Sequence, residues 1–287
     1  MKYRLLAIDI DGTLLDETGQ VSQANVEALA RASEHGLEVV LATGRAFVEC
    51  SNVLTMTPGI RYLIGAGGAL LSETATGRTI RRSAMPPTLS HEVATTIVEH
   101  GFLAHLLKDS QASGYDYLMI GDSKPDPSTT WWLQMHQVRT EWVSHVHMDR
   151  YPDHTVRVGT VAMGDQLHEV TEFLRDRFGE SIMCQHWSAQ TPHQVTGSRT
   201  HLLEIFNPMV DKWTMFRQLA DDLGIRHDQT VAIGDGFNDI AIVRQAGLGV
   251  AVANASEDVL QVADRTTLSH DRDGVAVAIG HILDGDW

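Results

Sequence analysis

The apolar residues of this chain fall into short continuous runs, each closed by a turn residue. Leu5 to Ile8, Leu37 to Ala42, Tyr62 to Ala66 and Thr230 to Ile233 are such runs. Their length and their Val, Ile and Leu content predict strands buried on both faces, as in a parallel sheet. Between them the apolar spacing becomes helical, with Val26, Leu29 and Ala30 following the capping Ser22 and ending at Gly36. Phe216, Leu219, Ala220 and Leu223 repeat the pattern behind Asp211, which suits a helix cap. Leu70-Leu71 and Thr79-Ile80, around Thr76-Gly77, predict an edge hairpin. Ser256 to Val262 and Val275 to Leu283 predict closing helices.

Met85-Pro86-Pro87 interrupts this pattern and marks a boundary. Beyond it the spacing predicts helices over 88–100, 128–137 and 164–178, and strands over 103–107, 115–120, 155–163 and 182–187. Two strand-helix halves hint at an internal repeat. The loop around Thr196-Gly197-Ser198 marks a second boundary, and Leu202 to Phe206 returns to strand. With 287 residues, two domains are expected.

The 43% apolar content can bury a sizeable core, and the net charge of −15 speaks against a nucleic-acid or anionic-membrane partner. Cys50 and Cys184 share no metal-ligand spacing and suit a reducing cytosol. The N-terminus runs straight into a strand without a signal-peptide pattern, and no apolar run is long enough to span a membrane, so a cytoplasmic protein is expected. The 15 histidines are scattered, without HExxH or a close pair suited to zinc.

Candidate chemistry begins at the first strand's end, where Asp9 and Asp11 stand two apart before Gly12. In α/β sheets, chemistry sits at the carboxyl ends of strands. Two carboxylates so close repel unless a proton or cation intervenes, and Mg2+ is satisfied by carboxylates plus a phosphate. One Asp can then attack phosphorus while the other exchanges protons with the leaving group and water. Alone, an Asp-x-Asp is an ordinary turn. Thr43-Gly44-Arg45, between the second strand and a helix, offers a hydroxyl and backbone amides to an anion, or simply caps the helix. Lys212 sits at a helix N-terminus, the unfavourable end of the dipole for a cation, which suggests an anionic partner. Asp235 and Asp239, four apart at a strand end, add a second carboxylate pair. Tyr115, Tyr117, Trp131, Trp132 and Trp187 can stack on a ligand but more commonly such rings fill a core.

These motifs together carry a resemblance. DIDGTLL at 9–15 resembles the first motif of the haloacid dehalogenase superfamily of phosphohydrolases, and ATGR at 42–45 the second. Lys212 matches the third, and GDGFND at 234–239 resembles the fourth as it occurs in the Cof-type subgroup. Gly247 to Ala251 and Asn254-Ala255 match the strand and turn that follow there. Gly67 stands where that subgroup usually has Asn, and Trp213 where a small residue often follows the Lys, so the bulk of Trp213 is expected at the pocket wall.

The resemblance implies a Rossmann-like parallel-sheet core at 1–84 and 196–287 with an inserted α/β cap at 85–195 that selects the substrate. It implies Asp9 as nucleophile, Asp11 as acid/base, and Thr43, Gly44 and Lys212 as phosphate-holding residues. It places Mg2+ among Asp9, the backbone oxygen of Asp11, Asp235 and Asp239. Asn238 orients the loop or the phosphate, and Arg45 reaches the substrate or braces the neighbouring domain. The expected activity is Mg2+-dependent hydrolysis of small phosphomonoesters, sugar phosphates first and phosphorylated cofactors second. Phosphomutase or phosphotransferase chemistry is the enzymatic alternative, and a non-catalytic phosphate sensor the other.

Overall fold

The first apolar run becomes the middle of a sheet. In the computed structural model, which describes residues 2–188 and 200–287, β1 (Leu5–Ile8) lies between β2 (Glu38–Ala42) and β12 (Thr230–Gly234), parallel to both. β3 (Tyr62–Gly65) adds to β2 in parallel, and β4 (Leu70–Glu73) and β5 (Thr79–Arg82) complete that side, β4 antiparallel to β3. On the other side β12 is followed by β13 (Leu248–Ala251) and β14 (Arg265–Thr266), both parallel. Every residue of β1, β12 and β13 is buried, which is why these strands read as unbroken apolar runs. The helices Gln23–Glu34 and Gly274–Asp284 pack on each other and add Ala28, Ala32, Ala278 and Ile279 to the core. The chain leaves β1 toward β2 and later returns on the other side at β12. This reversal puts a topological switch point at the carboxyl ends of β1 and β12, where α/β sheets bind ligands.

This unit comprises Met1–Arg81 and Val210–Trp287, and a second comprises Arg82–Met209. The second unit holds a six-stranded sheet in the order β10 (Met183–Ser188), β11 (Thr200–Phe206), β9 (Thr155–Met163), β6 (Ala104–Lys108), β7 (Tyr117–Ile120) and β8 (Thr140–Val143). Its pairs are antiparallel except β7 with β8. The helices Pro87–Glu99 and Gly164–Phe178 cover the face that carries Leu106, Val158 and Leu203. Tyr115 and Tyr117 are buried here, Tyr117 edge-on to Trp132 at 5.1 Å and Tyr115 edge-on to Tyr151 at 6.0 Å.

Two strands depart from the sequence pattern. β8 carries Thr-Glu-Trp-Val at a half-exposed edge, too short and mixed for a legible period. β11, expected to resume the first sheet, is instead held between β9 and β10, with Leu203 opposite Thr160 and His186. Its buried Leu203 and Ile205 complete the second unit's own core, and the chain crosses back only at Val210. The boundary read at 195/196 lies outside the described residues. Among the described residues, no helix is long and apolar enough to cross a membrane.

The second unit also buries charge. Lys108 Nζ donates to Asp149 Oδ2 at 2.6 Å, Thr155 Oγ1 at 2.7 Å and the Tyr151 carbonyl at 3.2 Å. Lys108→Met leaves the buried Asp149 without this cation, and such one-sided removal costs about 3–5 kcal/mol. Chemical denaturation is expected to show a loss of that order, and a change below about 1 kcal/mol contradicts it. His105 behaves oppositely: burial, and then the Arg157 guanidinium, push its imidazole down to about 4 from 6.5. The folded ring stays neutral where the unfolded chain takes up a proton. Its contribution to stability is therefore complete above pH 6.5 and is lost as pH falls toward 4. His105→Gln is expected to flatten the stability profile across that window, and an unchanged slope contradicts the assignment.

Candidate active site

Asp9 follows the last residue of β1, and the chain then makes a wide, irregular turn through Ile10-Asp11-Gly12-Thr13-Leu14. Gly12 lies at φ +76°, and a Cβ there would sit 2.4 Å from Asp235 Oδ2. Only glycine satisfies both the backbone angle and the space. Next to it, Thr13 Oγ1 donates to Asp235 Oδ1 at 2.7 Å. The loops leaving β1 and β12 are thereby latched together at the switch point.

The helix Lys212–Asp222 delivers the third component. Asp211 caps it by accepting from the Thr214 amide at 2.6 Å. Gly68 fits closely under this start, since a Cβ there would lie 2.1 Å from the Asp211 carbonyl oxygen. Lys212 is 0% exposed, and its Nζ donates to Asp9 Oδ1 at 2.5 Å and to Asp239 Oδ1 at 2.7 Å. Burial and the helix dipole both oppose this ammonium, so it requires the two carboxylates. Asp239 is held in turn: its Oδ2 accepts from the amides of Gly236 at 3.0 Å and Asp235 at 3.2 Å.

Electrostatics follow from this crowding. Burial, then the Asp239 charge, push the Asp9 carboxyl well above the usual range, and Lys212 only partly offsets them. Burial raises Asp235 as well, against the hydrogen bond from Thr13. Burial works against the charge on Lys212, but Asp239 and Asp9 outweigh it and hold the ammonium above its ordinary value. Ligand oxygens of Asp9, Asp235 and Asp239 all lie within 4.8 Å of one another. When all three are ionised, one ammonium leaves two negative charges uncompensated. An all-oxygen donor set with that deficit fits a hard divalent cation.

Asp11 stands apart from this cluster. Arg45 grips its carboxylate in a two-point pair, Nε to Oδ2 at 2.8 Å and Nη2 to Oδ1 at 2.5 Å. Arg45 Nη1 also reaches the Glu49 carbonyl at 3.4 Å. The second motif is thus tied to the first by a charge-assisted fork, a contact that sequence reading did not anticipate. Thr43 is fully buried, and its Oγ1 accepts from the Arg45 amide at 3.1 Å. The Gly67 amide donates to the Thr43 carbonyl at 3.0 Å, a backbone contact that needs no side chain at 67. Asn238 faces Gly44: a Cβ on Gly44 would lie 3.5 Å from Asn238 Nδ2. The structure therefore brings Asp9, Lys212, Asp235 and Asp239 into direct contact range, with Asp11 on the turn that follows Asp9 and paired to Arg45 on the loop after β2. Trp213 is not in a pocket wall. It is buried in the first unit's core, edge-on to His227 at 5.5 Å, because the neighbouring helix position faces the sheet rather than the carboxylates. Thr13 carried no expected role, since a Thr in a turn gives no signal of a partner 222 residues away.

The family model for haloacid dehalogenase-like hydrolases matches residues 6–279. The chain is 25% identical over 292 residues to the phosphatase YwpJ of Bacillus subtilis, covering 98% of this chain and all of that protein. It is 26% identical to the 5-amino-6-(5-phospho-D-ribitylamino)uracil phosphatase YcsE of the same organism, over 97% of this chain and 95% of that one. In structure it is similar to a haloacid dehalogenase-like hydrolase from Bacteroides thetaiotaomicron, with a TM-score of 0.78 at 23% identity, covering 98% and 100% of the two chains.

Gly12→Ala introduces a left-handed backbone for a residue with Cβ and forces that Cβ onto Asp235. The expected loss is on the order of 2 kcal/mol or more, read as a lowered denaturation midpoint. A variant as stable as the parent would contradict the packing described.

Proposed function

The chain belongs to the haloacid dehalogenase-like hydrolases as a Cof-type phosphatase, and we propose that it hydrolyses small phosphomonoesters through a phosphoryl group carried on Asp9. The observation that carries this reading is the buried Lys212 bridging Asp9 and Asp239. A carboxylate attacks a phosphate dianion only where positive charge is fixed beside it. Lys212 supplies one such charge at the nucleophile itself.

Asp9, Asp235 and Asp239, with the backbone oxygen of Asp11, would hold Mg2+. Bound there, the ion supplies further neutralisation of the phosphate oxygens. The remaining steps belong to the chain. An Asp9 oxygen forms the new bond to phosphorus as the ester oxygen leaves. Lys212, the Thr43 hydroxyl and the backbone at Gly44 hold the transferring group, with Asn238 beside them. Asp11, once protonated and released from one arm of the Arg45 fork, gives that proton to the departing oxygen, then takes one back from the water that attacks the phosphoryl group, releasing phosphate and restoring Asp9. Arg45 orients the Asp11 carboxylate.

For substrate class, sugar phosphates and related polyol phosphates lead. YcsE of B. subtilis is named for a substrate carrying a phosphorylated ribityl chain, which is of that chemistry. The second unit, Arg82–Met209, is where selectivity is proposed to reside, because the first unit carries the shared motifs.

Phosphate release from a panel of sugar phosphates and phosphorylated cofactors tests this. Release is expected with Mg2+ and not with chelator, and Asp9→Asn is expected to lower it by on the order of 10³-fold or more. Asp11→Ala is expected to cost about 10²–10⁴-fold. Undiminished release by Asp9→Asn, or no release across the panel, overturns the reading.

A further inference from the structure

The turn from Asp9 to Leu15 follows neither strand nor regular helix, and the carbonyls of Gly12, Leu14 and Leu15 take donors from distant side chains. Asn254 Nδ2 donates to the Gly12 carbonyl at 2.8 Å. His270 Nδ1 lies 2.7 Å from the Leu15 carbonyl and, facing an acceptor, carries the proton there. Asn25 Nδ2 approaches the Leu14 carbonyl at 3.4 Å. Asn254 is itself fixed, since its Oδ1 accepts from the His270 amide at 2.9 Å.

Of these contacts, the one at Gly12 falls on the weakest link. Gly12 has no side chain to restrict it, yet its neighbours carry the chemistry. Asp11 precedes it, and Thr13, which follows, bonds Asp235 at 2.7 Å. A rotation of the Gly12–Thr13 peptide would move both at little steric cost. Asn254 is exposed, and an exposed hydrogen bond contributes little to stability, so its geometry serves the loop rather than the fold.

We propose that Asn254 is a positioning residue for the phosphoryl-transfer loop. By holding the Gly12 carbonyl it fixes where Asp11 and the Thr13–Asp235 latch stand. This rests on the hydrolytic reading above. The groups it orders are the acid/base carboxylate and a carboxylate of the cation site, so its loss acts on turnover rather than on substrate capture.

The informative variant is Asn254→Asp. It keeps shape and the acceptor for the His270 amide but replaces the Nδ2 donor with an oxygen that repels the Gly12 carbonyl. Outer contacts of this kind typically alter activity by about 10- to 100-fold, and kcat is expected to fall within that range. KM is expected to change by less than about threefold, with thermal stability close to the parent's. Amide hydrogen exchange over 10–15 is expected to accelerate, with exchange in β13 unchanged. A parental kcat, or parallel losses in Tm, kcat and KM that mark general damage, overturns the proposal. If the unaltered protein releases no phosphate from any substrate, the hydrolytic reading fails by itself. Exchange then still decides the latch: acceleration confined to 10–15 supports it, and parental exchange overturns it.

Discussion

The buried Lys212 ammonium, held between Asp9 and Asp239, is the contact on which the rest of the first unit depends. An ammonium without water is stable only beside compensating charge, and here each partner arrives on a different element. Asp9 directly follows the first strand, 203 residues before Lys212, and Asp239 opens a helix 27 residues after it. The two ends of the chain must close on each other before the pair exists. The intervening second unit adds little to that closure, because the entropic cost of a loop grows only slowly with its length. A parallel sheet with its switch point between β1 and β12 sets the three segments side by side.

The same crowding gives the site its chemical character. Burial first, and then neighbouring carboxylates that one ammonium cannot balance, hold Asp9 and Asp235 toward their protonated forms. That imbalance is costly for folding but suited to binding, because a divalent cation, or an incoming phosphate with its cation, would relieve it. Close packing keeps the carboxylates from relaxing apart. Gly12 leaves no space at Asp235, and Gly234 leaves none at Asp239, where an added Cβ would lie 2.6 Å from the side chain. The protein stabilises an uncomfortable cluster by denying it room.

Much of this was legible in the sequence, for physical reasons. Strands buried on both faces leave continuous apolar runs, and β1, β2, β3 and β12 were read at nearly their observed bounds. Lys212 stood out because a cation at a helix N-terminus conflicts with local preference, and the acidic pairs because carboxylates so closely spaced repel one another. The misses share a cause, which is that the signal was tertiary. β11 has the same apolar texture whichever sheet it joins, and the partner that decides, β9, lies 45 residues earlier by their first residues. Arg45 could be placed near the site but not on Asp11, since a long side chain reaches in many directions. Trp213 was placed by motif position toward the pocket, but the helix turns it by one step into the core. Thr13 and Asn254 are ordinary turn residues whose partners only the fold reveals.

The central claim is that Asp9 carries the phosphoryl group between two half-reactions. The most direct measurement is to quench the protein in acid during turnover, reduce it with borohydride and sequence the peptide spanning β1 and its loop. Reduction converts a phosphorylated aspartyl side chain to homoserine. Homoserine at position 9, dependent on substrate and absent at Asp11, is the predicted result. Turnover without any modification at position 9, or modification at another residue, would contradict the account.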